Sequence, residues 1–252
     1  MEPAGSTFFY FLTGFLLLAP LYKAGNRPVP LLLLELAAIG FLLAIFAVHR
    51  APVDLPRAMR WAIGLLLVYP LVQLIPLPVS VWRILPGHAV YGMVLEKFAT
   101  QDGLGLARPI SIIPSATEYG WLALLPPLAC LLAAMRLSIE HAAKLLLAMV
   151  VFAGGEALLG LLQIAPGGGG LLYFGNEELG LYAAIGTFVN RNHFAAMLAM
   201  VLPVTVGLLV YSLRPGLRRL KRSARKVASE AAAQRVLLFA TALMILICLV
   251  FT

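Results

Sequence analysis

The sequence predicts an all-α, polytopic transmembrane helical bundle of about seven spans with its N-terminus in the cytoplasm, and composition, spacing and loop charge predict it together. Of 252 residues, 62% are hydrophobic and only 12% charged, with a mean hydropathy of +0.95. An ordinary soluble domain is about 45–50% apolar and about 25% charged, so a soluble fold of this size could not hide so much apolar surface. At about 20 residues per crossing, seven spans take roughly 140 residues and leave the rest for loops. The same figures exclude a secreted soluble enzyme, a disordered tail and a nucleic-acid-binding domain.

Apolar stretches fall at Thr7–Tyr22, Val29–Val48, Trp61–Pro78, Ser115–Met135, Ala142–Gln163, Phe194–Leu213 and Val236–Thr252. The segment Met1–Thr7 has no basic n-region and no small-residue cleavage site follows, so the first stretch is expected to stay as an anchor. These helices are apolar nearly all round, and periodicity cannot orient them; loop charge can, because Lys and Arg collect on the cytoplasmic side. The formal net charge is +8, and its densest basic run, Arg214, Arg218, Arg219, Lys221, Arg222, Arg225, Lys226 and Arg235, lies between the sixth and seventh stretches. With 214–235 as a cytoplasmic loop, Arg50, Arg57, Arg60, Arg136 and Lys144 also fall inside. Lys23, Arg27, Arg83, Lys97, Arg108 and Arg191 remain outside. The basic run could attract anionic headgroups, but topology alone accounts for it. No aromatic residue interleaves its charges, which argues against RNA.

Two connections on the outer face are long. In 79–114, Val90, Val94 and Phe98 recur at helical spacing, with Glu96, Lys97 and Gln101 elsewhere. This predicts a helix lying in the interface, anchored by Trp82 and Tyr91. The other connection, 164–193, opens on Pro166 and the run Gly167–Gly170. A phosphate loop would need Lys-Ser/Thr at the right spacing; Leu171 and Leu172 follow instead, so a turn is expected. Cys130 and Cys248 lie in apolar runs and read as small core residues. The seventh stretch would rise only about 25 Å, short of a roughly 30 Å hydrocarbon core, and no charge, Trp or Tyr anchors its end. The expectation is that 1–252 is the N-terminal part of a longer membrane protein.

Polar groups at membrane depth are expensive and so informative. Glu35 interrupts the second stretch without polar neighbours and reads as structural; Glu118 sits near an end of the fourth. Glu156, Gly160 and Gln163 follow i, i+4, i+7 and share one helical face. That face is either a polar contact cementing helices, with Ala153 and Ala157 allowing close approach, or part of a binding site. The densest constellation is Gly186-Thr187-Phe188-Val189-Asn190-Arg191-Asn192-His193-Phe194, where the chain re-enters the membrane from outside. Asn is a good N-cap, but capping needs one such residue. A helix N-terminus with free N–H groups, joined by Arg191, makes a candidate anion site suited to bidentate phosphate recognition.

The stretch from Gly186 to Ala195 resembles the Gly-Thr-Phe-x-Asn-x-Asn-x-x-Ala signature of the O-antigen ligase/polymerase superfamily. Glu156-Ala-Leu-Leu-Gly-Leu-Leu-Gln163, Pro76-Leu-Pro78 and Ser111-Ile-Ile-Pro-Ser-Ala-Thr117 are similar to further patches of that family. Together these patches stretch over about two thirds of the chain. The resemblance implies a multi-pass glycosyltransferase of the bacterial inner membrane, working on the periplasmic side without metal or other cofactor. Its partners would be a glycan donor on undecaprenyl pyrophosphate and an acceptor on lipid A-core, another glycan or a protein. Membrane lipids would surround it, and nucleic acid would play no part. Arg191 matches the position of a pyrophosphate-contacting arginine, and Asn190, Asn192, His193, Gln163 and Glu156 complete the candidate substrate-binding set. The family's Ser-Arg-Gly-like segment and the large loop bearing its catalytic His are expected beyond Thr252, so His193 is not that residue and no catalytic group is assigned here.

Two other classes compete. A secondary transporter would show inverted repeats and a midplane ion site; Glu35 and Glu156 could serve one, but no repeat is visible. A membrane assembly subunit without chemistry would suit the short, featureless loops after the first spans.

Overall fold

The computed structural model describes residues 3–21, 27–48, 55–98, 107–165, 183–213 and 224–252. The glycine run at 167–170 and the basic residues from Arg214 to Arg222 lie outside the described residues. In chain order the elements are α1 (Pro3–Leu18), α2 (Pro28–Val48), α3 (Arg57–Gln73), β1 (Pro76–Pro78), α4 (Val79–Trp82), α5 (Ala89–Phe98), β2 (Ala107–Pro109), α6 (Pro114–Leu122), α7 (Leu125–Ala134), α8 (Ile139–Ile164), α9 (Arg191–Leu213) and α10 (Ala224–Val250). Among the described residues, five helical stretches are long and apolar enough to cross a membrane: 28–45, 114–134, 139–164, 191–213 and 232–250. The architecture is that of a helical membrane protein. Helices α1 and α3, which match the other two apolar stretches, have 16 and 17 residues.

Contacts divide the chain into two compact units, one of Met1–Leu34 with Ala133–Thr252 and the other of Glu35–Leu132. In the first unit, α8 begins where Ser138 accepts the His141 N–H (3.3 Å) and Glu140 sits in the first turn. Side-chain capping and a carboxylate at the positive helix end both favour that start. At 26 residues, α8 is about 39 Å long. The core gathers Val150, Ala153 and Ala157 of α8, Phe194, Leu198 and Val201 of α9, and Leu238, Ile245 and Cys248 of α10. Small residues on α8 let the neighbouring backbones approach closely, the usual basis of helix association where burial from water supplies no drive. Cys248 is a buried free thiol in this core, and Cys130 is a half-buried one, as their apolar settings predicted. Helix α1 lies along α8, with Phe9 against His141 (centroids 5.1 Å apart) and the Arg136 guanidinium 5.3 Å from the Phe8 ring centroid.

The second unit corrects several sequence expectations. The fourth apolar stretch stands as one candidate span over 114–134, but its helix is interrupted at Ala123–Leu124, between α6 and α7. Pro126 and Pro127 lack the N–H groups that would bond back to Leu122 and Ala123, and their rings crowd those carbonyls. The third stretch ends earlier than expected: α3 stops at Gln73, and Pro76–Pro78 forms a strand, with Leu77 opposite Arg108 in an antiparallel ribbon. Trp82 does not anchor an interfacial helix. It is 3% exposed, its Nε1–H donates to Pro109 O (2.7 Å), and its ring meets that of His88 edge-on at 4.7 Å. His88 Nε2 donates in turn to Ile110 O (2.7 Å), so the two rings staple α4 to the strand that ends at Pro109. Tyr91 on α5 is exposed.

Trp82→Phe keeps an aromatic ring but loses the pyrrole half of the indole and its hydrogen bond, a cost of about 1–3 kcal/mol. Trp82→Ala empties the small core for about 3–5 kcal/mol. Thermal unfolding of the two variants should separate them clearly; equal melting temperatures would mean that the indole does not hold this segment.

Candidate functional site

Why an apolar helix carries a carboxylate and an amide becomes clear from the segment they face. Residues 183–188 are all buried yet not helical. Irregular backbone is tolerated beside membrane-spanning helices only where protein groups satisfy its N–H and C=O groups. Glu156 and Gln163 do this. Gln163 Nε2 donates to Gly186 O (2.8 Å), while its Oε1 accepts from Gly186 N (2.9 Å) and Ile185 N (3.2 Å). Glu156 Oε2 accepts from Thr187 N (2.9 Å), and its Oε1 lies 2.9 Å from Thr187 Oγ1. The same hydroxyl reaches Pro20 O, also at 2.9 Å, which ties the segment to the turn that follows α1. Its single proton serves either Pro20 O or Glu156 Oε1. Ala184 N donates to Phe251 O (3.0 Å), so the end of α10 closes the other side.

The turn depends on two glycines. Gly186 has φ +57°, in the left-handed region, and a Cβ there would collide with Glu156 Oε2 and lie 2.7 Å from Phe194 Cε2. Gly160 lies between the two polar residues on α8. A Cβ at that position would be 3.0 Å from Cys248 Sγ and 3.1 Å from both Ala184 Cβ and Phe194 Cζ. Glycine here is a space requirement, because α10, the 183–188 segment and Phe194 all converge on one point of α8.

From this anchored turn the chain passes through Val189 into α9. Asn190 is the cap: its Oδ1 accepts from Asn192 N (2.8 Å), and its carbonyl accepts from His193 N and Phe194 N, each at 3.1 Å. The free amides expected at this helix start are therefore mostly engaged by Asn190 itself. The side chains of Arg191, Asn192 and His193 are exposed on the first turn, whereas Phe194 is fully buried against Phe188, with centroids 5.6 Å apart. The exposed Arg191 side chain thus belongs to the positive end of α9, a combination of charges that favours an anion.

The six candidate residues fall into two groups. Asn190, Arg191, Asn192 and His193 share an exposed helix start; Glu156 and Gln163 are buried at 4% and 2% exposure, with their polar atoms turned to residues 185–187. Thr187, Gly186 and the carbonyl of Pro20 belong to the same network. Sequence reasoning placed Gly186 and Thr187 at the head of the signature without giving either a role, and it did not reach Pro20. The other acidic residues of the spans differ from Glu156: Glu118 is exposed, and buried Glu35 has an Oε1 without a hydrogen-bond partner. Among the described residues, no three His, Cys, Asp or Glu side chains converge in a way that could hold a metal ion. Comparisons of the chain with protein-family models, with curated proteins and with solved structures find no match.

Proposed function

We propose that this chain belongs to a membrane glycosyltransferase of the O-antigen ligase/polymerase type. It would transfer a glycan from undecaprenyl pyrophosphate to a lipid A-core, glycan or protein acceptor at the periplasmic face of a bacterial inner membrane. The observation that carries the proposal is the buried clamp of Glu156 and Gln163 on Gly186–Thr187, which fixes the start of α9 and leaves Arg191 exposed on its first turn. A mobile loop could not offer an arginine and a helix dipole to one phosphate at a constant geometry.

In the proposed reaction the acceptor hydroxyl oxygen attacks the anomeric carbon of the donor sugar. The bond from that carbon to the pyrophosphate oxygen breaks, and lipid pyrophosphate leaves with the bonding electrons. Arg191 neutralises the charge growing on the leaving phosphate. Preorganised charge of this kind contributes several kcal/mol when water is excluded. Asn192 and His193 contact the same polar head, Asn190 holds the helix start, and Glu156 and Gln163 are positioning residues. The hydroxyl proton passes to water at the periplasmic face, and no residue of this chain is assigned as its acceptor.

Lys carries the charge of Arg without its planar fork. Arg191→Lys should therefore lower transfer from a polyprenyl-pyrophosphate-linked glycan about 100-fold, with membrane insertion and melting temperature unchanged. Transfer at the wild-type rate would remove Arg191 from the site.

A further inference from the structure

We propose that the cleft between α8 and α10 holds one acyl chain of an anionic phospholipid. The cleft is a cavity of about 230 Å³ within the first unit, running from Leu147 to Leu158 on α8 and from Gln234 to Met244 on α10. Its floor is Val150 and Leu238, each 2% exposed, and its sides are open to the membrane at Val151 and Leu237, which are 59% and 57% exposed.

Length selects the occupant. From Leu147 to Leu158, α8 rises about 16 Å, roughly half of a 30 Å hydrocarbon core. The cleft therefore starts at one interface, marked by Gln234 and Arg235, and ends near the bilayer midplane. Beyond it, Gly160, Cys248, Ala184 and Phe194 close the space between the helices. A crossing helix would need a groove along the whole span, whereas an acyl chain from one leaflet stops where this one stops.

Charge selects the headgroup. Arg235 is held at the mouth by donation from its Nε to Ser212 O (3.1 Å). A basic residue near a headgroup favours an anionic lipid by about fivefold.

Gly155 lines the cleft, and a Cβ there would meet no atom within 4 Å. A side chain can thus start at 155 without a clash at its Cβ, and a large one there competes with an occupant of the cleft. The test is native mass spectrometry of the full chain released from detergent with equal amounts of phosphatidylglycerol and phosphatidylcholine. Wild type should retain one phosphatidylglycerol in preference to phosphatidylcholine by about fivefold. Gly155→Phe should cut retention of both lipids about tenfold. Val151→Trp, at an exposed wall position, should do the same and guards against a folding defect peculiar to residue 155. Equal retention of the two lipids, or retention untouched by both variants, would overturn the proposal. So would a change of oligomeric state in either variant, which would assign the cleft to a second copy of the chain.

Discussion

Gly186→Ala should destabilise the first unit more than any other single-methyl change considered. The left-handed backbone at φ +57° costs an alanine about 1–3 kcal/mol. The added carbon also meets Glu156 Oε2 and Phe194 Cε2, and overpacking of this kind adds typically 1–3 kcal/mol. The two groups cannot both give way, because Glu156 is bonded to Thr187 and Phe194 is sealed in the core. The expected result is a loss of roughly 2–6 kcal/mol, seen as a large drop in detergent melting temperature. A melting temperature within a few degrees of wild type would show that the turn does not need glycine.

The second large effect separates charge from hydrogen bonding at Glu156. Glu156→Leu leaves Thr187 N–H without its acceptor inside the protein and removes one of the two partners of the Thr187 hydroxyl. An orphaned buried polar group costs about 1–3 kcal/mol, and the adjacent Gly186 turn loses one of its two clamps. Glu156→Gln keeps an oxygen for Thr187 N–H and supplies an N–H to Thr187 Oγ1, whose proton can then go to Pro20 O. The glutamine variant should melt within about 1 kcal/mol of wild type, while the leucine variant should lose about 3 kcal/mol. Equal losses would mean that the negative charge, and not the hydrogen bonds, is what Glu156 contributes. Strong loss of the proposed transfer activity in Glu156→Gln with unchanged stability would move Glu156 from positioning the turn to the chemistry itself.

Most of the fold could be read along the chain because the forces that make membrane helices are local. Each of the seven apolar stretches contains helix, since a backbone in hydrocarbon must bond to itself. The break at Ala123–Leu124 was also legible in Pro126 and Pro127. The start of α10 at Ala224 was legible in part: Ala231, Ala232 and Ala233 are strong helix formers that carry the helix into a stretch otherwise read as loop. Trp82 was misread for a different reason. An aromatic residue beside a membrane can face the lipid or its own small core, and the deciding partners, Pro109 and His88, come from the folded segment rather than from its periodicity.

The candidate site divides along the same line. Helical spacing placed Glu156, Gly160 and Gln163 on one face, and the three do share one buried face. Spacing could not name their partners. Thr187 is 31 residues from Glu156 and 167 residues from Pro20. The capping role of Asn190 was readable, because a cap bonds within its own first turn.

What the sequence by itself determined is the class of protein and the positions of its expensive groups. The apolar share requires a membrane, and a carboxylate or amide in a spanning helix costs free energy whatever its role. Tertiary structure decided what the cost supports. Glu156 and Gln163 are spent on the backbone of a buried, non-helical turn, and Arg191 is left exposed at the helix start that this turn fixes. The physical reason is that desolvation depends on the residue and its depth, both visible along the chain. Hydrogen-bond partners depend on which distant segments meet, and only folding brings them together.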